Sequence, residues 1–405
     1  MAINKQHFVA VRDKHCIKCN FCKQYIDCAA EKEGCNACGA CVIACPQGAM
    51  HMKSLPGPGT DITFTLDGIG HRMEGPITVM DALHRLGHGL KPHNRHRDGC
   101  IQALCGTGGC WACAVLIDDV LSRGCNTTLR QGVEIVTQPD RLHAVQPKRM
   151  ITVMRPAPHF HPSIFTHGCN YRCDLCHNWD LTFSATGAAK TPREAVDELA
   201  VSPETDHWIG ISGGEPTLNR DWLIETVQRL RRQAEKSRIQ LDTNASILTP
   251  DYIDQLVDAG VTDISPDIKA RHLDAFMKIS GLKAKAEAQF YLKNSWEAIR
   301  YLHAAHSDTV FMAVSFPCHP RIHSRSELYD MGRSLAAIDP QTPVTLIEYQ
   351  PAFRARNWPR LTLDAMNQAR DIVQSAGLRR IVVQGGRDIP RAVDPLELAL
   401  TSETF

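Results

Sequence analysis

The sequence has no apolar stretch of the roughly 20 residues that a bilayer-spanning helix requires. It also has almost no charge excess, because 45 basic side chains stand against 44 acidic ones and the formal net charge is +1. This balance gives no electrostatic reason to expect nucleic acid or an anionic membrane as a partner. The opening residues, MAINKQHFVAVRDKHC, lack the apolar core of a signal peptide. We therefore expect a cytoplasmic protein.

A flavin or nicotinamide fingerprint of the form G-x-G-x-x-G after a strand is also missing. Cysteine, by contrast, is abundant, with 17 residues. Eight lie within residues 16–45, five within 100–125 and three within 169–176, and Cys318 stands alone. In a reducing cytosol this clustering indicates metal ligation rather than disulfides, and the odd total would leave one thiol over in a closed disulfide framework.

Two breaks rich in proline and glycine divide the chain, one at residues 54–60 and one at about residues 138–162. The 405 residues are also too many for one ordinary hydrophobic core. We therefore expect three domains, over residues 1–55, 60–140 and 150–390.

The third domain alternates strand-like segments, such as HWIGIS, RIQLDT, DISPDIK and TVFMAVSF, with helical ones. In the helix TPDYIDQLVDAG, Thr249 is the expected N-cap and Gly260 the expected stop. This rhythm predicts an α/β fold with a parallel sheet and covering helices. Such sheets and barrels place their sites at the C-terminal ends of the strands, where the motifs SGGEPT, DTN and DIK stand.

The first domain carries two dense cysteine runs, C-x2-C-x2-C-x5-C and C-x2-C-x2-C-x3-C-P. They resemble the bacterial ferredoxins with two [4Fe–4S] clusters, in which the fourth cysteine of each run ligates the other cluster. The resemblance implies an α+β domain with one cluster on Cys16, Cys19, Cys22 and Cys45 and another on Cys35, Cys38, Cys41 and Cys28. The first run departs from the family pattern, since five residues precede Cys28 and Ala29 replaces the usual proline. Zinc is the alternative, although its motifs favour separated C-x2-C pairs.

The middle domain contains C-x4-C-x2-C followed by a fourth cysteine, the spacing of a plant-type [2Fe–2S] centre. With its flanking strand-like segments it resembles the β-grasp [2Fe–2S] domains of flavin-linked oxidoreductases. The resemblance implies the ligands Cys105, Cys110, Cys113 and Cys125. Cys100 competes with Cys105 for the first position, and its alternative interpretation is a spare buried thiol. Gly106, Gly108 and Gly109 suit a tight loop around the cluster.

The segment THGCNYRCDLCHNWD places Cys169, Cys173 and Cys176 within eight residues, at C-x3-C-x2-C spacing. Three thiolates leave one iron of a [4Fe–4S] cluster without a protein ligand. With the later GGEP loop, this motif resembles the radical S-adenosylmethionine (SAM) superfamily, whose fold is a partial (β/α) barrel. The resemblance implies that the amino and carboxylate groups of SAM complete the unique iron. It also implies reductive cleavage of SAM to methionine and a 5′-deoxyadenosyl radical.

The likeness is greatest to the activating enzymes of pyruvate formate-lyase and anaerobic ribonucleotide reductase, which act on glycyl-radical enzymes. It implies that the loop of the GGEP motif receives the methionine amino group, and that two strand-end motifs surround SAM and a nearby cation. The residues implied for cofactor binding are Gly213, Gly214, Glu215, Pro216, Asp242, Asn244, Asp267, Lys269 and Gln350. Gln350 stands where the family often has a histidine near SAM.

Two residues are candidates for catalysis outside these motifs. If the thiol of Cys318 points into the barrel, it could donate a hydrogen atom or ligate a metal, and otherwise it is a small buried residue that ends a strand. His319 is either a proton donor or a polar residue at the same strand end. In the activases this strand end commonly reads Pro-Gly.

The sequence thus predicts a radical SAM enzyme with three [4Fe–4S] clusters, one [2Fe–2S] cluster and SAM. The first two domains would relay electrons from a protein donor, such as a ferredoxin, a flavodoxin or an oxidoreductase subunit. The expected target is a protein glycine. The alternatives are a small molecule or another peptide residue as target, and an electron-transfer subunit in which the third domain is a relic.

Overall fold

The computed structural model of the chain describes residues 6–28, 34–56, 59–88, 104–155 and 161–385. Cys100, the competing ligand in the middle domain, lies outside these residues. Across the same ranges, no helix combines the length and the apolar character that crossing a bilayer demands.

The N-terminal residues form a two-stranded antiparallel sheet with two short helices between its strands. In chain order the elements are β1 Gln6–Arg12, α1 Phe21–Gln24, α2 Ala40–Ala44 and β2 Met50–Pro56. Both helices follow a residue in the left-handed region, Asn20 (φ 61°) and Gly39 (φ 73°). Each helix also carries the third cysteine of its run, Cys22 or Cys41. The two cysteine runs therefore share one local design, as the ferredoxin resemblance implies.

The next sheet has five strands in the order β4-β3-β7-β5-β6, with β3 parallel to β7 and antiparallel to β4. Its elements, with the helix α4 that follows it, are β3 Thr60–Leu66, β4 Ile69–Gly75, α3 Val79–Arg85, β5 Ala114–Ile117, β6 Val120–Arg123, β7 Glu134–Val136 and α4 Pro139–His143. Along β3 the residues Ile62, Phe64 and Leu66 alternate with exposed ones and pack with α3. The strand-like segments that flank the cysteine motif are therefore strands, as predicted.

The rest of the chain alternates strands and helices as predicted. The elements are β8 Ile151–Met154, β9 Ser163–Thr166, α5 Trp179–Thr182, α6 Pro192–Leu199, β10 Trp208–Gly213, α7 Arg220–Gln233, β11 Arg238–Thr243, α8 Pro250–Ala259, β12 Asp263–Pro266, α9 Leu273–Ser280, α10 Lys285–His306, β13 Phe311–Met312, β14 Val314–Cys318, α11 Arg325–Ala336, β15 Val344–Glu348, α12 Leu363–Ser375 and β16 Ile381–Gln384.

Two sheets make up this domain, one with the order β13-β12-β11-β10-β9-β8 and one with β14-β15-β16. From β9 to β16 the neighbouring strands run parallel, and only β8 pairs antiparallel. The segment TVFMAVSF, predicted as one strand, is two strands that meet at Ala313. β13 pairs with β12, whereas β14 pairs with β15. A bridge between Asp267 and Ser315 joins the sheets into a partial barrel, which confirms the predicted fold class.

The helix boundaries follow local signals. Helix α8 starts after Thr249 and ends at Gly260, which has φ 113° and accepts the left-handed conformation that stops a helix. The Thr249 hydroxyl donates to Asp251 Oδ1 at 2.7 Å rather than accepting from the helix backbone. Helix α6 begins with a full capping box between Thr191 and Glu194. These helices bury their apolar faces on the sheet and leave its inner face free for a site.

Candidate functional site

The C-terminal ends of the parallel strands and the loop after β9 enclose a cavity of about 520 Å³. This volume falls within the roughly 300–1,000 Å³ typical of small-molecule sites. Nine of the predicted residues line it: Cys169, Cys173, Cys176, Gly213, Gly214, Asp242, Asn244, Asp267 and Lys269. The parallel sheet therefore brings together residues that span about 100 positions of sequence.

The three cysteines of the loop after β9 are free thiols. The backbone N–H of Tyr171 donates to Cys169 Sγ at 3.3 Å, and the side-chain amide of Asn244 lies 3.8 Å from the same sulfur. Burial raises the pKa of Cys176 to about 12 and raises the pKa of Cys169 and of Cys173. As free thiols these groups are protonated, and a metal ion that binds them must displace the protons.

The glycine pair after β10 allows two backbone segments to meet. Gly213 has φ 113°, and a Cβ there would lie 2.4 Å from the amide nitrogen of Thr166. A Cβ on Gly214 would lie 2.3 Å from the carbonyl oxygen of Gly168. Only glycine fits both positions, so the loop after β10 lies directly against the cysteine loop.

Glu215 lies outside the cavity and is fully buried. Its carboxylate accepts from the N–H and the hydroxyl of Thr217, from the hydroxyl of Thr243 at 2.6 Å and from the N–H of Asn244 at 2.6 Å. Burial raises the pKa of this carboxyl group, against the opposing effect of its donors. The side chain therefore fastens the loop after β10 to the loop after β11. Pro216, which follows it, is also buried outside the cavity.

Arg149 was not predicted, yet its side chain is completely buried beneath these loops. Its guanidinium donates to the carbonyl oxygens of His167 (3.1 Å), Glu215 (2.6 Å) and Pro216. Among the described residues it forms no ion pair with a carboxylate, and burial lowers its pKa. The sequence offered no signal for this role, because a single arginine in a proline-rich linker resembles a surface residue.

Two strand-end carboxylates and one lysine face the cavity. Lys269 Nζ donates to Asp267 Oδ2 at 2.5 Å, while Asp267 Oδ1 is buried without a hydrogen-bond partner. Gln240 Nε2 donates to Asp242 Oδ1 at 2.7 Å, and burial raises the pKa of Asp242. The unpartnered oxygen fits a donor or a cation supplied by a ligand, because buried acceptors are normally paired.

Three other predicted residues lie outside the cavity lining. The Cys318 thiol lies 3.5 Å from the carbonyl oxygen of Phe316, and burial raises its pKa to about 12. His319 is buried and contacts the ring of Trp358. Gln350 accepts, through its backbone carbonyl, from the ring nitrogen of His177 at 3.3 Å. The catalytic roles of Cys318 and His319 stay predictions.

The cavity has further polar walls that the motifs did not reveal. Polar residues of the strands line it beyond the motifs: Gln240, Ser265, Ser315, Thr345 and Gln384. Alternation along a strand offered a signal for part of this set, since Gln240 stands two residues before Asp242 and shares its face. The interior of the barrel combines these polar groups with apolar ones such as Trp208, Phe311 and Ile347.

The four cysteines predicted for a [2Fe–2S] centre are all buried and lie together. The thiols of Cys110 and Cys125 hydrogen-bond Cys105 and hold its pKa well below that of an ordinary thiol. A hydrogen bond with Cys125 likewise lowers the pKa of Cys113. Four mutually contacting sulfurs in a buried loop fit the ligand set of a [2Fe–2S] cluster.

The N-terminal cysteines form two groups. Cys16, Cys19, Cys22 and Cys45 line one small pocket between the two runs. Cys38 interacts electrostatically with Cys28 and Cys35, and Cys41 interacts with Cys38, Cys28 and Cys35 and, more weakly, with Cys22 of the first group. Both groups take their fourth cysteine from the other run, which agrees with the crossed ligand sets that the ferredoxin resemblance implies.

Across the described ranges, no three His, Cys, Asp or Glu side chains form a group that could hold a single metal ion. In an iron–sulfur cluster each thiolate binds an iron within a larger inorganic core. Its ligands therefore need not meet at one ion.

The two later cysteine loops touch each other. A Cβ on Gly168 would lie 2.8 Å from the amide nitrogen of Cys110, and one on Gly109 would lie 2.8 Å from that of Gly168. Arg172 also donates to the carbonyl oxygen of Cys105 at 2.7 Å. The glycines thus let the cysteine loop of the middle domain approach the loop of Cys169 at backbone distance.

The N-terminal domain joins the same assembly on two sides. Asn36, which is buried between Cys35 and Cys38, donates to the carbonyl oxygen of Asn126 at 3.0 Å, next to Cys125. An apolar cluster connects this domain with the barrel, and its members and packed neighbours include Cys28, Cys38, Cys176, Phe21, Trp179, Phe183 and Phe353. The four cysteine groups therefore belong to one continuous packed structure.

Comparison with known proteins confirms the predicted resemblance. Residues 163–320 match the Radical SAM superfamily, and residues 59–140 match the 2Fe-2S iron-sulfur cluster binding domain. The pyruvate formate-lyase-activating enzyme of Listeria monocytogenes is 30% identical over 120 residues, which are 29% of this chain and 47% of that protein. The chain therefore spans about half the length of this relative.

A protein of Thermoplasma volcanium named "Probable GTP 3′,8-cyclase" is 30% identical over 118 residues, or 29% of this chain and 35% of that protein. Among solved structures, SuiB of Streptococcus suis bound to its precursor peptide SuiA has a TM-score of 0.43 at 12% identity. That match covers 56% of this chain and 48% of SuiB.

Proposed function

We propose that this chain, which contains a radical SAM domain and a [2Fe–2S] domain, cleaves SAM reductively and uses the resulting radical to abstract hydrogen from a protein. One observation carries the proposal. Three free cysteines on one loop share a cavity with the glycine pair and the strand-end carboxylates. The thiols fit a cluster with one open iron, and the unpartnered Asp267 Oδ1 fits a cofactor or cation beside it.

When bound, the reduced cluster supplies an electron that breaks the sulfonium C–S bond of SAM and leaves a 5′-deoxyadenosyl radical. The chain itself positions and encloses the reactants. Cys169, Cys173 and Cys176 would hold the cluster at the mouth of the barrel. The loop of Gly213 and Gly214 would present its backbone to the amino acid end of SAM. Cys173 is buried and Cys169, Cys176 and the two glycines are half-buried, so this part of the barrel would limit the access of water to the bound cofactor.

Asp267 and Lys269 would add charge near the cofactor, because their side chains line the same cavity. Asp242, held by Gln240, would contribute a second carboxylate. Glu215 would act indirectly, because its carboxylate does not face the cavity but holds the loops after β10 and β11 in position.

A protein or peptide target is supported by the relatives named as pyruvate formate-lyase-activating enzymes. The proposal is therefore that of an activase-like enzyme whose substrate is a glycine in another chain. A small-molecule substrate is the second candidate, and the relatives named as GTP 3′,8-cyclases favour it. The cavity has both polar and apolar lining residues, and this composition fits either a peptide segment or a small molecule.

We also propose that the N-terminal clusters deliver the electron. The contact of Gly109 with Gly168 brings the [2Fe–2S] loop to the SAM-cluster loop. Cys28 and Cys38 pack on the same apolar cluster as Cys176. Both contacts shorten the distance over which an electron would travel through the protein.

The test of SAM cleavage is an anaerobic assay for 5′-deoxyadenosine with reconstituted protein, dithionite and SAM. Cys173→Ala is expected to abolish the product. The matched variant Cys125→Ala removes a ligand of the [2Fe–2S] centre and is expected to keep the dithionite-driven reaction. Equal yields from Cys173→Ala and the unaltered chain would refute the proposal.

The test of the relay compares electron sources. Cys38→Ala is expected to retain 5′-deoxyadenosine formation with dithionite but to lose most of it with a reduced ferredoxin as donor. Equal loss with both sources, at unchanged iron content of the remaining clusters, would contradict a relay role.

The substrate class is tested by adding candidate targets. A glycyl-radical enzyme encoded near this gene is expected to acquire a glycyl radical signal, whereas GTP is expected to remain unchanged.

Cys318→Ala tests the hydrogen-donor prediction. Loss of the final product with SAM cleavage intact would support that role, and unchanged product would remove it.

A further inference from the structure

The cysteines differ sharply in how far they are from solvent. Of the 16 cysteines in the described part of the chain, only Cys19 is exposed. The cysteines of the [2Fe–2S] loop are buried, and those of the radical SAM loop are buried or half-buried. A protein donor that approaches from solvent therefore comes nearest to the group of Cys16, Cys19, Cys22 and Cys45.

The surface around Cys19 is basic. Four exposed cations lie in the same short segment: Arg12, Lys14, Lys18 and Lys23. None of them forms an ion pair within the described ranges. Arg12 and Lys18 line the pocket of the cysteine group, and Arg12 Nη2 lies 3.8 Å from Cys22 Sγ.

The acid in this segment is already engaged. Asp13 Oδ2 accepts from His51 Nε2 at 2.6 Å, and Asp13 Oδ1 accepts from the N–H of His15 at 2.8 Å. These hydrogen bonds hold the pKa of Asp13 down at about 2. Asp13 is thus held by His15 and His51 and pairs with none of the neighbouring lysines, so residues 12–23 present four exposed cations against this one carboxylate, although the protein as a whole is almost neutral.

Apolar side chains stand beside the cations. Ile17, two residues before Cys19, is 61% exposed, and Tyr25 at the end of α1 is 43% exposed. An apolar contact ringed by charge is the usual composition of a protein interface. The arrangement fits a protein partner better than a small ion.

We propose that the surface of Arg12, Lys14, Ile17, Lys18, Cys19 and Lys23 is the docking face for a small electron-carrier protein that is acidic around its own redox centre. This inference rests on the proposed relay. In each encounter the carrier is oxidised by one electron and the cluster held by Cys19 is reduced by one. No bond is made or broken, and no proton moves.

The charge arrangement makes the encounter rate the measurable quantity. Complementary charges raise association rates by roughly 10–10³-fold, and salt screens this gain. The effect should therefore be large at low ionic strength, where the Debye length is about 30 Å at 0.01 M, and small at 1 M, where it is about 3 Å.

The experiment is anaerobic stopped-flow spectroscopy of the full, cluster-loaded chain. Reduction of the clusters is monitored as the loss of their visible absorption. The probes are a reduced acidic ferredoxin and the reduced methyl viologen cation. The test variant is Lys14→Glu/Lys18→Glu/Lys23→Glu. The matched control is Arg232→Glu/Lys236→Glu/Arg379→Glu, which reverses three exposed cations of the barrel domain that form no ion pair in the described ranges.

At low salt the test variant is expected to slow reduction by ferredoxin at least tenfold relative to the control variant. Reduction by the methyl viologen cation is expected not to slow. Iron content and visible spectra of both variants should equal those of the unaltered chain. Equal rates of reduction by ferredoxin in the two variants would refute the proposed docking face. A rate of reduction of the unaltered chain that does not depend on salt concentration would also refute it.

Failure of the underlying relay gives a different result. In that case ferredoxin still bleaches the clusters at a rate that depends on Lys14, Lys18 and Lys23, but no 5′-deoxyadenosine forms unless dithionite is present. This result would support the docking face and refute the relay.

Discussion

Replacing Arg149 by methionine tests whether one buried cation organises the loops that we propose bind SAM. The change removes the donors to the carbonyl oxygens of His167, Glu215 and Pro216 and keeps much of the side-chain volume. A buried acceptor without a partner costs about 1–3 kcal/mol, and here three carbonyl oxygens lose a charged donor. We expect a loss of about 3–5 kcal/mol in the local stability of the loops.

Hydrogen exchange followed by mass spectrometry measures this loss where it occurs. The amide of Gly214 donates to the carbonyl oxygen of Thr166 at 2.6 Å, and the amide of Glu215 donates to that of Gly168 at 2.8 Å. Since each 1.4 kcal/mol corresponds to a factor of ten, a loss of about 3–5 kcal/mol should make these amides exchange roughly 10²- to 4 × 10³-fold faster in Arg149→Met. The KM for SAM should rise in parallel.

Two further variants separate the geometry of the guanidinium from its charge. Arg149→Lys keeps the charge, but a compact ammonium cannot reach three carbonyls that a planar fork spans, so it should restore only part of the protection. Arg155→Met removes a half-exposed arginine that pairs with Asp206, and its effect should stay below about 1 kcal/mol. Unchanged exchange in Arg149→Met, or equal effects at Arg149 and Arg155, would refute the reasoning.

Further variants probe the same loops. Gly213→Ala should raise the Kd for SAM at least tenfold in equilibrium dialysis, because the added Cβ would clash with Thr166. The control is Gly187→Ala, at a glycine with φ 99° where the nearest atom to an added Cβ is 3.7 Å away. This control should leave the Kd for SAM nearly unchanged. Glu215→Gln places a side-chain amide against a backbone N–H and should destabilise the loops by about 1–3 kcal/mol, as measured by hydrogen exchange. The control Glu194→Gln alters an exposed carboxylate and should not accelerate exchange in these loops. A small effect at Gly213, or equal effects at the two glutamates, would contradict these assignments.

Local signals in the sequence predicted most of the barrel. Strand β11 has the predicted bounds Arg238–Thr243, and Gly260 stops α8 as expected. The split at Ala313 could not be predicted, since a continuous β-prone run does not show that its halves pair with different sheets. Strand pairing depends on residues that are distant in sequence, so the local composition of a segment does not predict its pairing partner.

The same contrast applies to the site. Asp242 lies near the end of β11 and Asp267 directly follows β12, and parallel pairing places these two strand ends side by side, so the sequence predicted their common location. Arg149 reaches across the interior from a linker, and its role depends on carbonyl oxygens that every residue carries. Cys318 ends a parallel strand as predicted, but its residue type gave no information on which way its thiol faces.

The open iron is the central claim, and electron paramagnetic resonance of the reduced full chain with and without SAM tests it most directly. The account predicts that SAM changes the signal of one [4Fe–4S] cluster, and that Cys173→Ala abolishes this change while the signals of the N-terminal clusters persist. Zinc in place of iron at Cys169, Cys173 and Cys176, or spectra identical with and without SAM, would contradict it.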